Sequence, residues 1–213
     1  MDAASYDAWY ATARGRWIGM AEFRLLSSLV QARPGDTLLD VGCGTGWFTR
    51  RFAEEGLLAT GLDPNPDWLA FAQVKGPPAI RWIVGDARAL PFPDRSFDRV
   101  VSVAALCFVE EERQAVAEIV RVTRRRFAVG WLNRTSLLYR QKGRGGGSGA
   151  YRGARWHHPR DVLDFFSGLR VRQLAVHSAI FLPSGNRVAR AMERLLPHTL
   201  PWGGLVVISG ETG

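Results

Sequence analysis

A parallel β-sheet covered on both faces by helices, an α/β fold in a single domain, is predicted by three observations. Short apolar runs alternate with segments of helical period over residues 37–132, and a glycine-rich turn directly follows the first of those runs. The 213 residues, 46% of them hydrophobic, suffice for one sizeable core. The elements follow in order. A helix is expected around Ala21 to Gln31, then strand 37–42, helix 46–55, strand 58–63, helix 66–74 and strand 80–85. Strand 97–104, helix 110–123 and strand 127–132 continue the alternation, which implies right-handed crossovers. The C-terminal part differs: helix 159–167 leads into apolar runs Val171 to Leu182 and Gly204 to Ser209, separated by a helical stretch Asn186 to Leu196 and a proline-rich turn. That arrangement predicts an antiparallel edge strand. One low-complexity stretch, GRGGGSGAYRG (Gly143 to Gly153), forms neither helix nor strand cheaply and is expected to be a mobile loop.

The turn LLDVGCGTG raises the first chemical question. Gly42, Gly44 and Gly46 fit G-x-G-x-G, whereas a dinucleotide fingerprint G-x-G-x-x-G needs glycine where Trp47 stands. Missing side chains let backbone amides approach a ligand, and the following helix offers unpaired N–H groups. Asp40, two residues before the first glycine, would repel a pyrophosphate and attract a cationic amino group. A zwitterionic or cationic ligand is therefore expected.

Composition narrows the partners. The net charge of +8 invites a nucleic-acid reading, but all but two of the 28 basic residues are arginine, a skew that base composition of a genome can produce by itself. RNA binding stays an alternative that is not favoured. The basic excess is uneven, with seven Lys or Arg, two histidines and no acid between Arg134 and Arg160. Cys43 and Cys107 form neither a metal-ligand spacing nor a disulfide framework, and read as reduced core thiols; no metal is expected. With no apolar run of membrane-spanning length and acids rather than a basic start in MDAASYDAWY, the chain is expected in the cytoplasm.

Taken together, LLDVGCGTGWFT, GLDPNPDWL and GDARALPFPDRSFDRVVSVAALCFV resemble, in order, the four motifs of the class I S-adenosylmethionine-dependent methyltransferases, in particular the small-molecule subgroup related to ubiquinone and menaquinone methyltransferases. The resemblance covers about Tyr6 to Asn133. It implies a three-layer, doubly wound seven-stranded sheet of order 3-2-1-4-5-7-6 with strand 7 antiparallel, the Rossmann-like methyltransferase fold, and S-adenosylmethionine as cofactor. It also divides the single domain into N-terminal cap or lid helices (1–33), a cofactor-binding core (34–133), a flexible basic loop (134–158) and C-terminal helices and antiparallel strands (159–213). A monomer or weak homodimer is expected.

Residue by residue, the resemblance puts Asp40, Gly42, Cys43, Gly44 and Gly46 around the cofactor's methionine portion. Asp63, with Pro64 after it, ends the second strand, where a carboxylate accepts from both ribose hydroxyls; a helix cap is the alternative. Asp86, between Gly85 and Ala87, could accept from the adenine amine with the Ala87 N–H toward a ring nitrogen, or be a turn aspartate. Trp68 could lie on the adenine face or simply pack in the core. After the fourth strand, Ala104 and Ala105 leave room beside the sulfonium. Tyr10 and Arg16, in the aromatic stretch YDAWYATARGRW, would contribute a lid by cation–π attraction and a carboxylate contact, against the alternative of an aromatic helix packed on the sheet.

The acceptor is less defined. The fourth strand lacks the Asn or Asp with prolines and an aromatic that amino-group methyltransferases of nucleic acids and proteins often carry, which argues against base N-methylation. Tyr139, Arg152, Arg155 and Trp156 in the basic loop, with Cys107 after the fourth strand, are candidates to contact an anionic small molecule, though Cys107 also reads as core. His157 and His158 are the candidate bases, or an ordinary helix boundary. RNA or protein methylation, and a cofactor-binding protein without turnover, are the alternative functions.

Overall fold

The chain begins with two helices joined by a sharp turn, in a computed structural model that describes residues 2–213. Asp2 caps α1 (Ala3–Ala11) by accepting the Ser5 N–H at 2.8 Å. Thr12 closes α1 and opens α2 (Ala13–Val30): its hydroxyl donates to Trp9 O at 2.7 Å and accepts the Gly15 N–H at 3.0 Å. A Cβ on Gly15 would stand 2.0 Å from Trp9 O, so only glycine permits so tight a joint. The sequence pattern shows a helix only from Ala21. The aromatic stretch before it is helical as well, because its apolar residues pack on α3, α4 and the sheet rather than following one stripe.

The strands are β1 (Thr37–Val41), β2 (Leu58–Asp63), β3 (Arg81–Val84), β4 (Phe97–Val103), β5 (Thr123–Leu132), β6 (Val171–Ala179) and β7 (Leu205–Thr212). Between them lie α3 (Trp47–Glu54), α4 (Pro66–Lys75), α5 (Glu112–Val122), α6 (Pro159–Asp164) and α7 (Arg187–Leu195). They form one seven-stranded sheet of order β3-β2-β1-β4-β5-β7-β6, with β7 antiparallel to both neighbours, as the resemblance implies. Period-two alternation sends β5 side chains to two cores: Phe127, Val129 and Trp131 join Ile119 and Phe166 on one face, while Ala128 joins Leu26 and Phe52 on the other.

Two differences from the sequence reading have clear causes. β5 begins at Thr123 rather than 127, since Arg124 pairs with Asp98 at 3.1 Å and Arg126 with Glu211, so charged residues occupy the exposed start of a strand. The glycine tract folds into tight helical turns, held by Ser148 N–H to Lys142 O at 3.1 Å and Gly153 N–H to Gly146 O at 3.0 Å. Five of its glycines, at 145, 146, 147, 149 and 153, adopt positive φ. No helix of the described residues is long and apolar enough to cross a membrane.

Candidate functional site

The glycine turn lies where β1 ends and α3 begins. Gly42, Gly44 and Gly46 all have positive φ, of 73°, 56° and 74°. Each lacks a side chain for a different reason: a Cβ would meet Ala105 Cβ at 2.3 Å from Gly42, the Trp82 ring at 2.3 Å from Gly46, and the Trp68 ring at 3.3 Å from Gly44. Gly42 and Gly46 therefore yield to the protein's own packing. Gly44 is the position at which the open backbone meets an aromatic ring on its outer side. Its N–H donates to Asp63 Oδ2 at 2.8 Å, which locks the turn onto the end of β2.

The acids converge beneath and beside this turn. Asp40, 2% exposed, accepts the Thr49 hydroxyl at 2.6 Å; burial, with the charge of Asp63 adding, pushes its pKa up to about 7. Asp63 accepts from Gly44 N–H and, through Oδ1, from Asn65 N–H at 2.9 Å, while burial raises its pKa. It does not cap α4, because Asn65 does that by accepting from Asp67 and Trp68. Pro64 beside it is exposed. Asp86, next to the half-buried Gly85 and buried Ala87, is engaged by Arg88, whose Nε lies 3.0 Å from both carboxylate oxygens; the same guanidinium bonds Glu111 at 2.7 Å. Sequence spacing gave no sign of that arginine clamp.

Above the turn, the Tyr6 ring sits 5.0 Å from Trp68, and Trp68 lies over Gly44. Tyr10, in contrast, stacks on Trp47 at 4.6 Å and 14°, facing α3. Arg16 is exposed and donates to Ala11 O at 3.4 Å, in a groove with Asp7, Arg50 and Glu54. The aromatic that covers Trp68 is thus Tyr6, four residues before the one that the sequence singles out. Asp7, unnoticed in the sequence, fixes α1 in place by accepting from Arg50 at 3.0 Å and Lys75 at 2.6 Å. Burial alone would raise its pKa, but the Lys75 and Arg50 bonds together hold it below the usual value. Arg50 also donates to Thr45 O at 2.6 Å, so the latch ends in the glycine turn itself.

At the end of β4, Ala104 takes a left-handed φ of 52° and donates to Gly130 O at 2.9 Å. This strained residue and Ala105 leave the crest of the sheet without bulk between the two cores. Cys107 is corrected as an acceptor contact: it is wholly buried, its Sγ accepts the Leu132 N–H at 3.2 Å, and burial pushes its thiol up to about 12.

The basic loop is organised by a residue that the sequence hides. Glu112, 5% exposed at the start of α5, accepts from Trp131 Nε1 at 2.8 Å and Arg155 Nε at 2.8 Å, and its Oε1 lies 3.0 Å from His157 Nε2. His157 is therefore committed to Glu112, and His158 is exposed at the N-cap of α6, where its N–H donates to Asp161 at 3.2 Å. Trp156 is flanked by Tyr139 at 5.4 Å and Tyr151 at 5.6 Å. Arg152 is exposed. Within this loop two donors are buried without a partner among the described residues, Arg155 Nη2 and Trp156 Nε1; elsewhere Arg51 Nε and Arg99 Nε share that state.

Buried hydroxyls near the turn are unpartnered too: Thr45 Oγ1 within it and Ser102 Oγ on β4. With the free lone pairs of Asp63 and the bare backbone at Gly44, they fit a ligand with ribose hydroxyls and a zwitterionic tail, as S-adenosylmethionine has.

Residues 39–126 match the sequence profile of a family described as methyltransferase domain. A malonyl-[acyl-carrier protein] O-methyltransferase of Serratia marcescens is 38% identical over 122 residues, 57% of this chain and 45% of its own. A demethylmenaquinone methyltransferase of Renibacterium salmoninarum is 42% identical over 101 residues, 47% of this chain and 42% of its own. The chain thus spans less than half the length of these two relatives. Among solved structures, a SAM-dependent methyltransferase of Thermotoga maritima, described as a possible histamine N-methyltransferase, superposes with a TM-score of 0.77 at 23% identity, covering 99% of this chain and 96% of that one. That likeness concerns the fold. The motifs, the sheet order and this profile match agree: over residues 39–126 the chain is similar to the methyltransferase-domain family, and the whole chain has the fold of the solved methyltransferase.

Proposed function

We propose that the protein transfers the methyl group of S-adenosylmethionine to a small-molecule acceptor that carries an anionic group. The observation that carries the finer reading is the pair of orphaned donors, Arg155 Nη2 and Trp156 Nε1, buried beside Tyr139 and Tyr151. Leaving such donors unpaired costs about 1–3 kcal/mol each, and an acceptor's carboxylate or phosphate oxygens would remove that cost. The two relatives named above act, by their names, on malonyl-[acyl-carrier protein] and demethylmenaquinone, which keeps non-nucleic-acid acceptors in view.

When bound, S-adenosylmethionine supplies a methyl group on a positive sulfur that is already a good leaving group. The chain's part is then placement. Gly44 and the Thr45 hydroxyl would receive the methionine portion, Asp63 the ribose and Trp68 with Tyr6 the outer face, while Ala104 and Ala105 leave space for the approaching nucleophile. Alignment of this kind is worth up to about 7–11 kcal/mol of barrier. Incubating the protein with methyl-labelled S-adenosylmethionine and fractions of a cell extract tests the reading. Label should enter an acidic small-molecule fraction held by an anion exchanger; label in RNA or protein, or none above a protein-free control, would overturn it.

A further inference from the structure

The outer face of α2 meets α7 in a groove of about 470 Å³. On α2 the lining positions 16, 17, 20 and 24 recur at helical period, opposite the buried Gly15, Ile18 and Leu26. Trp17 and Met20, partly buried at the margin of the core, give the groove its apolar surface, and four exposed arginines surround them: Arg16 and Arg24 from α2, Arg190 and Arg194 from α7. None of the four pairs with a carboxylate among the described residues; Arg16 donates to Ala11 O at 3.4 Å and Arg190 to Gly185 O at 3.0 Å. The one acid that lines the groove, Glu193, is occupied elsewhere, because its two oxygens take the Ile180 and Phe181 N–H groups at 2.8 and 3.0 Å. Four cations against one acid make a concave surface whose field favours an anion.

The two helices are held in this arrangement by direct contacts. Arg14 Nε donates to Pro183 O at 2.6 Å, Arg190 Nη2 donates to Ala13 O at 3.4 Å, and a Cβ on Gly185 would meet Trp17 Cε3 at 3.3 Å. The loop ahead of α7 is thus packed against the indole, which fixes the ring while it remains part of the groove. Two helical turns separate Arg16 from Arg24, about 12 Å, and one turn separates Arg190 from Arg194, about 6 Å, so a single anionic head cannot meet all four. Guanidinium forks suit phosphate or carboxylate oxygens, and an indole beside a thioether suits a planar apolar body. A space of this size takes a small molecule rather than the length of a helix or a nucleic-acid strand.

We propose that this groove is a second ligand site, which binds a planar aromatic compound bearing two or more anionic groups, as a nucleoside polyphosphate or an aromatic polycarboxylic acid does. The ring of the ligand lies against Trp17, and its anionic groups bridge arginines of both helices. The site goes beyond the methyl-transfer reading and does not depend on it, since neither the glycine turn nor Arg155 and Trp156 line the groove.

Calorimetry on the whole chain at physiological salt tests the proposal with guanosine triphosphate and with pyromellitate, a benzene ring carrying carboxylates. Inorganic triphosphate supplies the charge without a ring, and guanosine the ring without charge. At least one of the ringed anions should bind about tenfold or more tighter than either control. Tighter binding of the nucleotide assigns the site to phosphates, and tighter binding of pyromellitate assigns it to polycarboxylic acids. Arg190→Ala combined with Arg194→Ala should weaken the preferred ligand by about tenfold or more, and Trp17→Leu should reduce it to the level of its ringless control. Circular dichroism checks that both variants fold; the arginine pair is exposed and decides the matter by itself should leucine at position 17 unfold the chain. Equal affinity for inorganic triphosphate and the ringed anions would mark a patch of charge only and overturn the proposal. Unchanged affinity in the arginine variant, or a single-stranded RNA hexamer that displaces the nucleotide at lower concentration, would overturn it as well.

Discussion

Replacing Glu112 by alanine should destabilise the protein by about 3–5 kcal/mol, far more than its place at a helix start would suggest. The magnitude follows from its three partners. Trp131 is wholly buried, so its Nε1–H would lose its acceptor and face no water, a loss of about 1–3 kcal/mol. His157, whose side chain is 14% exposed, would lose its 3.0 Å contact in similar surroundings, for another 1–2 kcal/mol or so. Arg155 contributes less, about 1 kcal/mol or below, because its side chain is 41% exposed and water can take over.

Glu112→Gln separates the charge from the contacts. The amide keeps one acceptor oxygen but turns its nitrogen toward a donor, so about half the loss should remain. Urea unfolding followed by circular dichroism, at fixed pH and without cofactor, reads both variants; Trp131→Phe combined with Glu112→Ala isolates the indole bond as a coupling of about 1–2 kcal/mol. A loss below about 1 kcal/mol for Glu112→Ala, or equal losses for alanine and glutamine, would refute the reasoning. In activity assays the same glutamine variant should raise the acceptor's KM and leave cofactor affinity alone, because Glu112 anchors the loop with Arg155 and Trp156 and touches no residue of the glycine turn.

Four further outcomes follow from the turn and the helix α1 beside it. Gly44→Val should abolish cofactor binding in calorimetry while the protein stays folded, since φ is +56° and the Trp68 ring stands 3.3 Å from the added Cβ. Asp63→Ala should weaken cofactor binding by about 1.5–3 kcal/mol, and it should also lower the melting temperature, because Gly44 and Asn65 N–H lose their acceptor. Asp7→Asn should loosen α1 by breaking the contacts to Arg50 and Lys75, seen as faster amide exchange in Ala3–Ala11 with exchange in the sheet unchanged. Asp40, raised to about 7 in the folded chain against 3.8 unfolded, stabilises fully below pH 4 and loses that contribution as the pH rises to 7. Wild type and Asp40→Asn should therefore match near pH 4 and diverge by up to about 4 kcal/mol by pH 8, with the variant the more stable; parallel curves would remove the buried-proton account.

What was legible in the sequence is what local periodicity encodes. The alternation of apolar runs and helical stretches gave the order of the elements, and Gly42, Gly44 and Gly46 marked the turn, because such residues act on their own few neighbours. The motif resemblance supplied the sheet order, including the antiparallel β7, that periodicity alone leaves open. β5 was shortened because three consecutive arginines, Arg124 to Arg126, do not look like a strand until Asp98 and Glu211 are brought opposite them. In the basic loop, glycine content measures the cost of order and leaves out the packing of Trp156 on Tyr139 and Tyr151, three aromatics of the same loop that are distant in spacing.

The residues that escaped notice share one property: their partners are remote in the chain. Glu112 lies in EERQ, which reads as the solvated first turn of a helix, and its partners come from positions 131, 155 and 157. Asp7 meets Arg50 and Lys75, from two other helices. Polar convergence of this sort leaves no periodic trace, because it depends on three-dimensional closure rather than on spacing. It also separates two classes of buried acid. Asp7 and Glu112 are saturated by donors and hold α1 and the basic loop in place, whereas the buried Asp40 accepts from one hydroxyl, that of Thr49. Donors thus compensate two of these acids, while burial pushes the third up to about 7 where β1 runs into the glycine turn, so that its compensation is a proton rather than an ion pair.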